Sequence, residues 1–256
     1  MRDYSVSVTL MFREFPPLER FANAREAGFD RVEIQALEAA PDEVTDAAAA
    51  AGTRIHLLNV GMGDFLQGGA GLIGMPGQES NFKQQLDMAL ALARQADIPL
   101  LHLGAGRVPE TERRENCLKS LVTNARYAIE RAAGSDVTLV IEPLNCRDIP
   151  NALIADLDET ASLIRERFAG SLWLMFDIYH MAQAGRDIAT SFRQYSDLVR
   201  HIQFSDAPGR HEPGTGKIDF ADCFEAIEQA GYRGVWGAEY FPSGQTMASF
   251  GWRDLL

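Results

Sequence analysis

The strongest constraint on this chain is an alternation. Short apolar, β-branched runs recur about every 30 residues along its 256 residues, and a helical pattern follows each one. The runs are Ser5–Leu10, Arg31–Gln35, Arg54–Asn59, Leu100–Gly104, Val137–Glu142, Leu172–Asp177, Arg200–Ser205 and Val235–Glu239. Several of them, VTLVIE and LWLMFD included, are nearly continuous in apolar residues. Such runs suit parallel strands covered on both faces. Between them, Phe82, Leu86, Ala89, Leu90 and Ala93 form one helical stripe. Asp219 is placed to cap a helix whose apolar face is Phe220, Cys223, Phe224 and Ile227, with Gly231 just beyond its end. Eight such units in a chain close to the roughly 250 residues typical of the fold predict α/β architecture. The expected form is a single (β/α)8 TIM barrel spanning residues 1–256. An open doubly wound sheet is the runner-up. It is weakened because no strand passes directly into a GxGxxG or GxxxxGK[ST] phosphate loop.

Composition narrows the function. The formal net charge is −12 with scattered basic residues, so a nucleic acid would be repelled on average. The N-terminus lacks the apolar core and cleavage site of a secretory signal, and no apolar run approaches a membrane span. A cytoplasmic protein with no membrane partner is expected, and a homo-oligomer stays open. Cys117, Cys146 and Cys223 are widely spaced with no CxxC pair. They read as buried or idle thiols in a reducing compartment. The segment Gly61–Gln78 holds seven glycines, a length and composition expected of a mobile lid over the catalytic face.

In barrels the chemistry sits at the carboxyl ends of the strands. Those ends carry Glu142, Asp177, Gln203 with nearby Asp206, and Glu239. Buried carboxylates need partners, and four oxygen donors on successive strands fit one shared divalent cation. Hard oxygen ligands suit Mg²⁺ or Mn²⁺. Of the five histidines, His180 lies three residues after Asp177 and suits substrate contact. His201 reads as a buried, satisfied histidine, and His56 and His102 as packing residues. Arg210 is the best-placed cation for a small anionic substrate, because a guanidinium can grip a carboxylate with two hydrogen bonds. Glu212 is close enough in sequence to pair with it.

VIEPLN, FDIYHM, HIQFSD, RHEPGTGKIDF and GAEYFP, taken together, resemble the hydroxypyruvate isomerase family of the xylose isomerase-like barrels. The resemblance runs from SVTLMFREFPPLERFANAREAGFDRVE through the glycine-rich loop to the last strand. It implies that Glu142 and Glu239 are metal ligands and acid/base catalysts, and that Asp177 and Gln203 complete the metal site. It implies substrate contacts from His180 and Arg210. The implied reaction is aldose–ketose isomerisation of hydroxypyruvate and tartronate semialdehyde through an enediolate. The chain departs from the family pattern at QALEAAPDE, at Leu58 and at Lys217, which leaves a 2-oxo-tetronate isomerase or a ketose 3-epimerase as alternatives. An abasic-site endonuclease would call for a histidine-rich multi-zinc site and a basic groove. A non-catalytic sugar-acid-binding barrel would have no use for an acid/base pair.

Overall fold

The computed structural model describes residues 2–104 and 106–254. Eight strands close into one parallel barrel in chain order. They are β1 (Tyr4–Ser7), β2 (Arg31–Ile34), β3 (Arg54–Asn59), β4 (Leu100–His102), β5 (Thr138–Ile141), β6 (Trp173–Asp177), β7 (Val199–Phe204) and β8 (Trp236–Ala238). Each coincides with a run expected from the sequence, within a residue or so at most ends. The largest difference is at β1, which stops at Ser7 because the Met11 amide turns back to the Ser7 carbonyl (3.1 Å). The helices are α1 (Arg20–Glu26), α2 (Pro41–Ala51), α3 (Glu79–Gln95), α4 (Arg114–Ala132), α5 (Leu157–Arg167), α6 (Ile178–Gln183), α7 (Ile188–Tyr195) and α8 (Phe220–Gln229). Among the described residues, no helix is long and apolar enough to cross a membrane. The three cysteines are all free thiols, with Cys117 buried and Cys146 exposed.

The chain gathers into two compact units, one running to His56 and resuming at Phe176, the other spanning Leu57–Met175. In the first, β8 pairs with β1 through Ser5 and Gly237 and with β7 through Gln203 and Gly237. Asp219 caps α8 as its position predicts, accepting from the Asp222 amide (3.1 Å). That cap sets the helix phase, so Phe220, Phe224 and Ile227 all turn inward and are buried. Phe224 stacks on Trp236 with centroids 3.9 Å apart. Truncating a core aromatic of this kind usually costs about 3–5 kcal/mol.

The second unit is built on β4 and β5, with Leu100 opposite Thr138. The helical stripe Phe82, Leu86, Ala89, Leu90 and Ala93 on α3 is buried throughout. The glycine-rich segment makes specific contacts with its surroundings. Arg107 Nη1 donates to the Phe65 and Gly69 carbonyls (2.7 and 2.9 Å), and its guanidinium lies 4.2 Å from the Phe65 ring centroid. Asn124 donates to the Ile73 carbonyl (2.9 Å), and the Asp64 carboxylate accepts from the Gly71 amide (3.0 Å). The glycines serve this packing: Gly68 has φ 93°, and a Cβ on Gly69 would collide with the Asp64 carboxylate.

Candidate active site

Asp177 is the last residue of β6 and the N-cap of α6. Its Oδ1 accepts from the Tyr179 amide (2.8 Å), so one carboxylate oxygen is committed to the helix end. The other, Oδ2, faces the Arg210 Nη2 donor (3.1 Å), and His180 Nε2 lies 3.6 Å from it. The same Arg210 Nη2 also bonds Glu239 Oε2, just past the end of β8. Arg210 is thus a cation placed between two strand-end carboxylates. Its guanidinium also lies over the Tyr179 ring (5.2 Å).

The loop after β7 holds Arg210 in place. Arg210 has φ 55°, a left-handed backbone that costs a non-glycine residue about 1–2 kcal/mol. Its amide donates to the Asp206 carbonyl (3.0 Å), and its carbonyl accepts from the Phe241 amide (2.9 Å). The Asp206 carboxylate accepts from the amides of Ala207, Gly214, Gly216 and Ile218 at 2.8–3.1 Å. Asp206 therefore braces the loop. The expected pairing of Glu212 with Arg210 does not form. Glu212 accepts instead from the Ser243 amide (2.9 Å) and hydroxyl, because the left-handed turn at Arg210 carries the guanidinium toward Asp177 and Glu239.

Electrostatically the site is short of positive charge. Burial pushes the Glu239 carboxyl up to about 7; Arg210 opposes the shift, and the charges of Asp177 and Glu33 add to it. Asp177 is also raised, chiefly by burial and against the pull of Arg210. Glu142 is buried just beyond β5.

Gln203, near the end of β7, is almost wholly buried. Its Nε2 donates to Glu33 Oε2 (2.7 Å), while its Oε1 has no hydrogen-bond partner. Glu33, on β2, escaped notice in the sequence. It is fully buried and also accepts from Ser5 Oγ (2.6 Å) and His201 Nε2 (2.7 Å). Burial pushes its carboxyl up, but the His201 imidazole and the three hydrogen bonds outweigh that and hold it below the ordinary range. The available signal was a glutamate inside RVEIQ, a run otherwise suited to a covered strand. His201 is buried as its position predicts, but it is satisfied at one nitrogen only: Nε2 pairs with Glu33, while Nδ1 has no hydrogen-bond partner. His56 packs near it with ring centroids 5.3 Å apart.

Residues 21–254 match the family described as xylose isomerase-like TIM barrel. The chain is 32% identical to the 2-oxo-tetronate isomerase of Cupriavidus necator over 98% of its length and 97% of that protein's. It is 31% identical to the hydroxypyruvate isomerase of Escherichia coli, over 99% of both chains. Its fold is similar to the crystal structure of a Brucella melitensis protein described as an AP endonuclease of family 2. There the TM-score is 0.93, with 30% identity over 100% of this chain and 99% of that one. The chain belongs to the xylose isomerase-like TIM barrel family and is an isomerase of that family.

Proposed function

We propose that this chain is a divalent-cation-dependent aldose–ketose isomerase that interconverts hydroxypyruvate and tartronate semialdehyde. The observation that carries the reading is the donor set of buried strand-end groups. Asp177 Oδ2 and Glu239 Oε2 share one Arg210 donor, Gln203 Oε1 is buried without a hydrogen bond, and Glu142 is buried just beyond the end of β5. A buried amide oxygen with no partner is costly unless something electropositive meets it, and buried carboxylates need counter-charge. Glu142, Asp177, Gln203 and Glu239 fit Mg²⁺ or Mn²⁺, which favour hard oxygen ligands. When bound, such a cation would anchor two adjacent substrate oxygens and make the C–H beside the carbonyl more acidic.

The remaining chemistry belongs to the chain. One of Glu142 and Glu239 removes a proton from the hydroxymethyl carbon, C3. The other delivers a proton to the neighbouring carbon, C2. An O–H proton moves from O3 to O2, so the aldehyde forms with no net change in atoms or charge. His180 contacts the substrate from the start of α6. Arg210 takes the substrate carboxylate by giving up its bond to Asp177 Oδ2.

A four-carbon 2-oxo-tetronate is the second reading, favoured by the Cupriavidus necator relative. The description of the Brucella melitensis protein raises a nucleic-acid substrate. A formal charge of −12 opposes it, since polyanion binding depends on phosphate neutralisation by basic side chains. Incubating the protein and added Mn²⁺ with hydroxypyruvate, 2-oxo-tetronates and free ketoses is expected to give fastest turnover with hydroxypyruvate. Fastest turnover with a 2-oxo-tetronate moves the assignment to the second reading, and turnover of free ketoses alone overturns both.

A further inference from the structure

We infer that Glu33 is a positioning residue that fixes which end of the Gln203 amide faces the cation. This rests on the metal reading above and adds a residue to it. A glutamine side chain has a donor end and an acceptor end of nearly the same shape, and a cation can be met only by the oxygen. Something must therefore set the flip. Glu33 Oε2 accepts from Gln203 Nε2 at 2.7 Å, which turns Gln203 Oε1 away from Glu33 and leaves that oxygen with no protein donor.

The orientation of Glu33 is itself fixed. Its other oxygen, Oε1, accepts from both Ser5 Oγ (2.6 Å) and His201 Nε2 (2.7 Å), so β1 and β7 hold one end while Gln203 holds the other. The opposite wall is Gly237 on β8. A Cβ there would collide with Glu33 Oε1 and lie 2.9 Å from His201 Nε2. Four strands thus converge on a carboxylate that touches no solvent. The strand register makes the arrangement close, since Gln203 and Gly237 are paired partners.

The test replaces one oxygen by an amine. In Glu33→Gln, Ser5 and His201 still donate to Oε1, so the new NH₂ occupies the Oε2 position and points at residue 203. Gln203 must then flip its oxygen toward Gln at 33 and offer its NH₂ to the cation. Adding Gln203→Glu restores the bond with donor and acceptor exchanged and returns an oxygen to the cation side. Isothermal titration calorimetry with Mn²⁺ on the metal-stripped proteins reads this without any turnover. Partners that orient metal ligands are typically worth about 10–100-fold in metal affinity, so Glu33→Gln is expected to bind Mn²⁺ that much more weakly, and the double variant to return to within about threefold of wild type. A role confined to folding would lower the melting temperature of Glu33→Gln without rescue of affinity by the second change. Wild-type affinity in Glu33→Gln, or a folded double variant as weak as the single, overturns the inference. Should Glu33→Gln alone fail to fold, the double variant decides, because its hydrogen bonds are complete. Absence of Mn²⁺ binding by the wild type overturns the metal reading instead.

Discussion

Glu142→Gln and Glu239→Gln are each expected to fold normally, to retain part of their metal, and to lose about 10²–10⁴-fold in kcat, the usual worth of general acid–base catalysis. The substitution keeps side-chain size and one ligand oxygen while removing the basic carboxylate. At Glu239 it also preserves an acceptor for Arg210, so the loop after β7 keeps its anchor. Glu142 is likewise buried, and glutamine matches its side chain in size. In the proposed reaction the two glutamates act in one proton-transfer sequence, so the double variant should be little worse than the worse single. Kinetics, circular dichroism and metal content on the three proteins check this. Near-wild-type turnover in either single variant would reduce that glutamate to a ligand, and in both would place the chemistry elsewhere.

Arg210→Lys is expected to lower kcat/KM by about 10–100-fold, the range set by charge-assisted hydrogen bonds worth about 1.5–3 kcal/mol. A lysine keeps the charge but offers a point donor where the guanidinium offers a planar fork. The left-handed backbone at position 210 is unchanged by the substitution, and so are the contacts of its amide and carbonyl with Asp206 and Phe241. The effect should therefore fall on what the side chain meets, the substrate together with Asp177 and Glu239. A change mainly in KM marks ground-state binding of the carboxylate, and one mainly in kcat marks orientation in the transition state. Wild-type kinetics in the variant remove Arg210 from the site.

The barrel was readable in the chain because a covered parallel strand must be apolar on both faces, and β5 and β6 are. The strand-end groups were readable for the complementary reason. A carboxylate that closes such a run, as Asp177 does, is an exception that asks for an explanation. Glu33 was hidden because its partners Ser5, His201 and Gln203 come from β1 and β7, and only closure of the barrel brings them to β2. The partners of Arg210 were hidden by local geometry. Sequence proximity favoured Glu212, but the backbone turn at φ 55° sends the side chain to Asp177 and Glu239. The glycine-rich segment has a second use beside the expected mobility. Its glycines permit tight turns and close approach around Asp64 and Arg107, and composition alone does not separate that use from mobility.

The proposed turnover requires a divalent cation held by the buried strand-end oxygens. It is tested most directly by stripping the protein with EDTA, confirming metal loss by elemental analysis, and following hydroxypyruvate by proton NMR before and after adding Mn²⁺ or Mg²⁺. The stripped protein is expected to form no tartronate semialdehyde above the uncatalysed rate, and either cation to restore turnover. Undiminished isomerisation by protein shown to be free of metal would contradict it.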